Sequence, residues 1–529
     1  MGDAVKGILR NPRTTRGVFF ILFLTLGCLM FGGSHLLGQE VPSSQKLEFW
    51  RSGMPHEFDY LSSKALEPAA AIPHAADPSG RTAKSLIVLL YHGIRERPTA
   101  DLVGWENFKN QMYALKAAGY ETVDSAQVLD FLLRGQPLPE KSFLLTFDDG
   151  RKDSYYPADP ILQALNYRAL IFIITSAIAE DDDFYLTEGE LKAMTASGRW
   201  ELGSHGHDIH RSAALDLAGA TGHALSNKLW LPEAGRAETD AEYGERIILD
   251  LSESKNQLES RFGATVRSFS YPYGDYGQNS VNHPAQAVSA VQDAVSTVYD
   301  LAFYQPWGEA IVRNYPGMDG FMVRRLEVKP EWTAATLLTA VRGGEDKPGD
   351  FSTAMAEDPG WTGGWGDATF SPGKLTVSAA PDTTGASTYL DGTYLWTDFE
   401  LTLRGRLLRG ESFSILARVD RNKDFVFCSF GPNGVSYGES VGGTVLEGPG
   451  WYTDLSLLLG LDVEAGMSVV GNTVRCRFNG VWGVESAFLR HTADHGMIGV
   501  SVWGPEKGTG ALEVTYLEVR KIEEKDQNL

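Results

Sequence analysis

The chain has 529 residues, a formal net charge of -21, and 22% charged against 43% hydrophobic side chains. At about 150 residues per domain, that length predicts two to three domains, each able to bury a sizeable core. So acidic a chain excludes a nucleic-acid partner, which would require a basic face.

Lys6, Arg10, Arg13 and Arg16 stand against a single acid, Asp3, at the start of the chain, and Gly17 to Gly38 is then apolar. About 20 such residues cross a bilayer, and the basic flank holds the N-terminus in the cytoplasm. Residues 1–16 are predicted as a cytoplasmic tail and 17–38 as a transmembrane signal-anchor helix. A cleaved signal and a lipoprotein site at Cys28 are the other readings of this stretch. All three place the body outside the cytoplasm, on the periplasmic or cell-surface side. Residues 39–84, with Pro42, Pro55, Pro68, Pro73 and Pro78, read as a linker.

From 85 to 345 strand and helix patterns alternate. Leu86-Ile87-Val88-Leu89-Leu90, Ser142-Phe143-Leu144-Leu145 and Ala169 to Ile174 are short apolar runs, as buried strands are. Trp105 to Ala118 carries Phe108, Met112 and Leu115 at helical spacing and stops at Gly119; Tyr243 to Phe262 places Ile247, Ile248, Leu251 and Leu258 on an apolar face. Such alternation implies parallel strands covered by helices, an α/β fold. Ligand-binding residues then collect at the C-terminal strand ends, as in a (β/α) barrel.

Gly343 to Asp350 is rich in turn residues, and 346–365 is predicted as a linker. Over 366–525 the texture is alternating: Phe399, Leu401, Leu403; Phe413, Ile415, Ala417, Val419; Val474, Cys476, Phe478; Val500, Val502; Leu512, Val514, Tyr516. Asn479-Gly480 makes a hairpin turn. These short strands predict an antiparallel β-sandwich. Cys428 and Cys476 fall on two of them, either as a disulfide or as buried thiols.

Two motifs carry chemistry. Thr146-Phe147-Asp148-Asp149-Gly150 puts adjacent carboxylates at the end of a strand, and Ser204-His205-Gly206-His207-Asp208-Ile209-His210 supplies histidines. Together they are the material of a divalent metal site with a general base beside it. On a continuous helix five residues turn about 500°, so His205 and His210 would diverge. They converge if His205 ends a strand, Gly206 allows a bend and His210 enters a following helical turn. His207 competes as a ligand if the segment stays extended.

From about Leu86 to Arg342 the chain resembles the polysaccharide deacetylases of carbohydrate esterase family 4. Thr146-Phe147-Asp148-Asp149-Gly150 matches the first motif of that family, and Phe269-Ser270-Tyr271-Pro272-Tyr273-Gly274 looks like the third. The five-residue His205–His210 spacing, Leu90-Tyr91-His92-Gly93-Ile94 and the Gln111–Tyr120 stretch resemble the branch acting on poly-N-acetylglucosamine. The resemblance implies a distorted (β/α) barrel with Asp149, His205 and His210 as metal ligands. It implies zinc first, with cobalt, nickel and iron open. Asp148 is then the general base, the backbone N–H of Tyr273 an oxyanion donor, and His92 the general acid. Tyr271, Pro272 and Trp307 are expected against the sugar, with Tyr276 as a further candidate. The arginine that many members carry just before the Pro of the third motif is missing here, leaving Arg267 or Arg325 to orient the base.

The 366–525 segment resembles concanavalin-like or laminin-G-like sandwiches, with Trp396, Trp451, Trp482 and Trp503 as candidates for a sugar platform. The expected partners are an acetylated polysaccharide substrate, the membrane through the N-terminal helix, and export machinery. The expected reaction is hydrolysis of N-acetyl groups on an exported N-acetylglucosamine polymer. Peptidoglycan or chitin-oligomer deacetylation and acetylxylan esterase chemistry suit the same site. A non-haem iron oxygenase would leave Asp148 idle, and a catalytically dead polysaccharide-binding protein would not need it.

Overall fold

The computed structural model describes residues 66, 68, 81–179, 182–306, 312–420, 424–432, 434–448, 459–483, 487–488 and 494–522. The expected transmembrane segment at 17–38, Cys28, most of the 39–84 linker, Trp307 and Trp451 lie outside them. Among the described residues no helix is long and apolar enough to cross a membrane.

Among the described residues, eight parallel strands make a near-closed barrel, and the short strand Glu121–Thr122 pairs with Ser142–Phe143 beside them. In chain order the strands are β1 (Ile87–Tyr91), β2 (Ser142–Phe147), β3 (Ala169–Ile173), β4 (Trp200–Ser204), β5 (Ser268–Ser270), β6 (Leu301–Tyr304), β7 (Val323–Arg324) and β8 (Leu326–Glu327). Their order in the sheet is β7-β6-β5-β4-β3-β2-β1-β8. The two edge strands are therefore consecutive in the chain, with Arg325 alone between them. Val323 pairs with Phe303 on one side of the gap and Leu326 with Leu89 on the other. Every residue of β1 and β2 is buried, which is why these strands read as continuous apolar runs.

Helices α1 (Trp105–Ala117), α2 (Ser125–Arg134), α3 (Lys152–Leu165), α4 (Glu188–Ala196), α5 (Asp240–Phe262), α6 (Ala287–Val298) and α7 (Ala334–Gly343) surround the barrel. Helix α1 buries Phe108, Met112 and Leu115, the positions its spacing predicts. Helix α5 starts at a Thr239–Glu242 capping box and stops at Gly263, φ 63°. Its Ile247, Leu251 and Leu258 are buried, while Ile248, expected on the same face, is exposed.

Among the described residues the C-terminal region is two antiparallel sheets, one of nine and one of seven strands, closed over a core that includes Phe399, Leu401, Phe413, Ile415, Val500 and Val502. Cys428 on the seven-stranded sheet and Cys476 on the nine-stranded sheet are joined as a disulfide. Tyr516 does not continue the inward alternation. Arg404 pairs with Tyr516 and Gly405 with Val514, so Thr515 bulges and the phase slips. Leu517 then takes the core position, and Tyr516 lies under the Arg404 guanidinium at 4.8 Å.

The expected linker at 346–365 is built into the sandwich. Phe351–Thr353 pairs with Leu517–Val519, and Trp361–Trp365 pairs with Ser387–Leu390. Turn residues hid these strands. Gly363 and Gly364, at φ 60° and 92°, form an irregularity in the second one, where a Cβ on residue 364 would sit 1.9 Å from Ser387 O. Of the candidate platform tryptophans, Trp396 is buried with its indole N–H on Lys347 O, and Trp482 lies against the Arg475 and Arg477 guanidiniums. Trp503 is 44% exposed and packs on Trp365, itself 36% exposed.

The disulfide closes a 48-residue separation, which in the chain-entropy account is worth about 4 kcal/mol. Replacing Cys428 and Cys476 together with Ser is expected to lower the sandwich unfolding midpoint in denaturant, with the barrel transition unmoved. Two-probe urea unfolding, with and without reductant, measures this.

Candidate metal centre and active site

Strand β2 ends at Phe147 and delivers Asp148, Asp149 and Gly150. In a continued strand neighbouring side chains would point to opposite faces. Instead Asp149 adopts φ 74° and Gly150 φ 70°, left-handed geometry that Asp tolerates better than most residues. A Cβ on residue 150 would meet Ile173 Cδ1 at 3.0 Å. The turn brings both carboxylates to one imidazole. His205 Nε2 is 3.9 Å from Asp148 Oδ2 and 3.6 Å from Asp149 Oδ1.

His205 follows the last residue of β4, and its ring Nδ1 lies 2.8 Å from the backbone oxygen of Ser270. A carbonyl only accepts, so the proton sits on Nδ1 and Nε2 presents a lone pair. His210 Nε2 is 3.5 Å from the same Asp149 Oδ1. The ligand atoms of Asp149, His205 and His210 all lie within 4.8 Å of one another. Two imidazoles and one carboxylate fit a divalent ion that keeps open positions.

The route to this convergence differs from the expected one. Residues 206–211 form bends and no helical turn. Gly206 takes φ 86°, and a Cβ there would lie 2.4 Å from Ile209 Cγ1, so the loop folds tightly over buried Ile209. Asp250 on α5 ties the loop down by accepting the N–H groups of His207 and Asp208. His207 stands outside the Asp149–His205–His210 cluster. Its Nδ1 pairs with Thr175 Oγ1 at 3.0 Å.

Asp148 is held by Arg325, which closes the barrel. The guanidinium donates to both carboxylate oxygens, at 2.6 and 2.8 Å, and its Nη2 also donates to Ser270 Oγ at 2.8 Å. Both side chains are buried. Burial pushes the Asp148 carboxyl up, but the Arg325 charge and hydrogen bonds, with His205, outweigh it and hold the group well below the usual carboxylate range. Asp149 is likewise lowered, by His210, His92 and His205 against burial. Burial, with the neighbouring His205, depresses His210 to about 4, which favours the neutral, ligating ring.

His92 follows β1, and its backbone oxygen accepts the Ser154 hydroxyl. Gly93 beside it is required, since a Cβ would meet Asp153 Oδ2 at 2.5 Å, part of the buried Arg151–Asp153 pair. Tyr273 sits at φ 60° after buried Pro272, and its ring lies 4.5 Å from that of His210. Tyr271 is not at a sugar surface. It is fully buried, packs edge-on to Phe269 and donates its hydroxyl to Phe321 O. Tyr276 packs edge-on to Tyr271 and Tyr304. Arg267 lines a cleft at the opposite end of the barrel, with Asp124 and Glu201, so the arginine that pairs with Asp148 is Arg325.

Ser270 and Arg325 complete the site in ways the motifs do not state. Ser270 holds His205 through its carbonyl and Arg325 through its hydroxyl. Its signal was its place in the third motif. Arg325 is 177 positions from Asp148, with no local pattern to mark it.

Replacing Arg325 by Gln leaves a buried carboxylate without its counter-charge, at a cost of about 3–5 kcal/mol near neutral pH. The depressed Asp148 pKa stabilises the fold above the unfolded carboxylate pKa, and that stabilisation is lost as pH falls through the folded value. In the variant, burial without a counter-charge raises the Asp148 pKa, so protonation relieves the cost as pH falls while the parent keeps its stabilisation. Urea unfolding of both proteins from pH 7 down to pH 3 is therefore expected to show a gap that narrows towards acid. A constant gap contradicts the assignment.

Residues 135–288 match the family profile described as polysaccharide deacetylase. A poly-beta-1,6-N-acetyl-D-glucosamine N-deacetylase of Escherichia coli strain K12 is 30% identical over 180 residues, 32% of this chain and 27% of that protein. The protein of the same name from Staphylococcus aureus strain MSSA476 is 29% identical over 175 residues, 32% of this chain and 53% of that one. The chain thus spans from about a quarter to about half of these curated relatives. Among solved structures, the deacetylase domain of BpsB from Bordetella bronchiseptica is 27% identical, covering 47% of this chain and 98% of its own at a TM-score of 0.39. The segment that matches the polysaccharide deacetylase profile holds the Asp148–Asp149 pair, both site histidines and the Ser270–Tyr273 turn.

Proposed function

We propose that this chain is a metal-dependent N-deacetylase of an exported N-acetylglucosamine polysaccharide, of the poly-β-1,6-linked kind after which its E. coli and S. aureus relatives are named. The observation that carries the reading is the juxtaposition of two carboxylates in different states of engagement. Asp149 converges with His205 and His210, while Asp148, one residue away, is saturated by Arg325 and left as a base.

A divalent ion held by Asp149, His205 and His210, zinc before cobalt, nickel or iron, supplies acidity to the attacking water and polarises the acetamide carbonyl. Asp148, ionised throughout the neutral range, accepts the proton as the water oxygen adds to the carbonyl carbon. Ser270 and Arg325 keep its carboxylate from rotating. The backbone N–H of Tyr273 donates to the carbonyl oxygen as that atom gains charge. His92 gives a proton to the sugar nitrogen as the C–N bond breaks, so acetate and a free amine leave. Pro272 borders the sugar in this reading.

The apolar stretch 17–38 tethers the enzyme outside the cytoplasm, beside the machinery that exports the polymer, and the sandwich holds the polymer through exposed Trp365 and Trp503. An acidic enzyme carrying -21 also suits a product that becomes cationic.

Acetate release from poly-N-acetylglucosamine is expected to stop on chelation and return with zinc. Asp148→Asn is expected to lower turnover by at least ~100-fold with one metal still bound per chain. Chelator-insensitive release, or an active Asp148→Asn protein, overturns the mechanism. In co-sedimentation with insoluble polymer, Trp503→Ala is expected to weaken retention about tenfold, equivalent to ~1.4 kcal/mol, while activity on short soluble oligomers is unchanged.

A further inference from the structure

Beside the metal ligands stands a second histidine–carboxylate pair that the reaction above does not use. His223 ends the short strand Thr221–His223, which pairs with Ser212–Ala214 in the segment between β4 and α5. Its Nδ1 lies 2.6 Å from Asp275 Oδ2, and Asp275 is completely buried immediately after the Tyr273–Gly274 turn. Burial pushes the Asp275 carboxyl up, but hydrogen bonds from His223, Ser226 and the Gly277 N–H outweigh it and lower its pKa. The ionised carboxylate accepts the proton of Nδ1, which makes Nε2 of the neutral ring a hydrogen-bond acceptor.

Three observations set this pair apart from a structural pin. Asp275 is satisfied without His223, since Ser226 Oγ donates to it at 2.6 Å and the Gly277 N–H at 3.0 Å. The His223 side chain is 34% exposed, and its Nε2 has no hydrogen-bond partner among the described residues. The ring also stacks on Tyr273, with centroids 4.4 Å apart and planes 19° apart, while His210 lies 4.5 Å from the same tyrosine. One aromatic ring therefore separates His223 from a metal ligand. That places it beyond the reacting acetamide and within reach of the next unit of a polymer threaded across the site.

We propose that His223, oriented by Asp275, forms a binding subsite for the sugar adjacent to the one being deacetylated, accepting a hydrogen bond at Nε2 from its hydroxyl or amide N–H. The subsite selects for a chain over a single sugar, and it makes Tyr273 the wall shared by two neighbouring units. This rests on the deacetylase reading, whose site it extends.

The test uses the purified protein with β-1,6-linked N-acetylglucosamine monomer and pentamer, and reads kcat, KM, bound metal and Tm, with pentamer Kd by calorimetry. His223→Ala is expected to raise pentamer KM and Kd roughly tenfold with kcat within about twofold and metal content unchanged; His223→Gln, which offers an amide oxygen as acceptor, should recover part of the affinity. Asp275→Asn can keep a hydrogen bond to Nδ1 while reversing it, so that Nε2 becomes a donor. It is therefore expected to raise KM like the alanine variant. A lowered Tm with unchanged KM and Kd overturns the proposal in favour of a structural pin. Loss of kcat at constant KM overturns it in favour of a part in the chemistry. If the parent binds pentamer without releasing acetate, the deacetylase reading fails and the Kd comparison alone decides His223. Parent protein that does not bind pentamer overturns the subsite.

Discussion

A guanidinium buried against a carboxylate is expensive unless the two charges are paired in good geometry, and Arg325 pairs with Asp148 through both Nη atoms at the point where the barrel closes, with Nε alone lacking a partner among the described residues. Arg325 is the one residue between the two edge strands β7 and β8. Its inward side chain is paid for by two bonds to Asp148 and one to Ser270. Closing the ring and orienting Asp148 are thus one event. A barrel that failed to close would leave Asp148 without its cation, and a site without Asp148 would leave an unpaired arginine in the core.

Ser270 spreads that constraint to the metal site. Its hydroxyl fixes Arg325 and its carbonyl fixes the tautomer of His205, so Asp148 and His205 are registered through a single residue at the end of β5. The other ligands depend on strained or close-packed backbone. Asp149 sits in a left-handed conformation, and Gly206 lets the loop fold over Ile209 to return His210 to the centre. Such strain persists only where the surroundings over-determine it. Here they do, through β3 beneath Gly150 and the Asp250 anchor on α5.

Electrostatically the site separates two neighbouring carboxylates by what each one faces. Asp148 faces a fixed cation and is a permanent anion, whereas Asp149 faces imidazoles, whose lone pairs are available. Burial, with His205, lowers His210, so the histidine that completes the triad is neutral across the physiological range. Division of labour between adjacent acids follows from environment, since the side chains are identical.

Much of this was legible in the sequence, because it depends on local pattern. Buried parallel strands are apolar runs, helix α1 has its spacing, and a strand-end Asp148-Asp149-Gly150 with histidines five apart already names the metal chemistry. Contacts between distant segments were not legible. Arg325 could not be preferred over Arg267 until closure of the barrel put one at the base and the other at the far end. Tyr271 looked like a groove residue until the turn after β5 buried it, and a bulge at Thr515 exchanged Tyr516 for Leu517. Strands at 351–353 and 361–365 were hidden by turn residues whose pairing partners lie far along the chain. Residue type and spacing determined which carboxylates and histidines are candidates for a metal site. The tertiary structure alone decided which arginine, serine and histidine surround them, because those partners meet only when the ring closes.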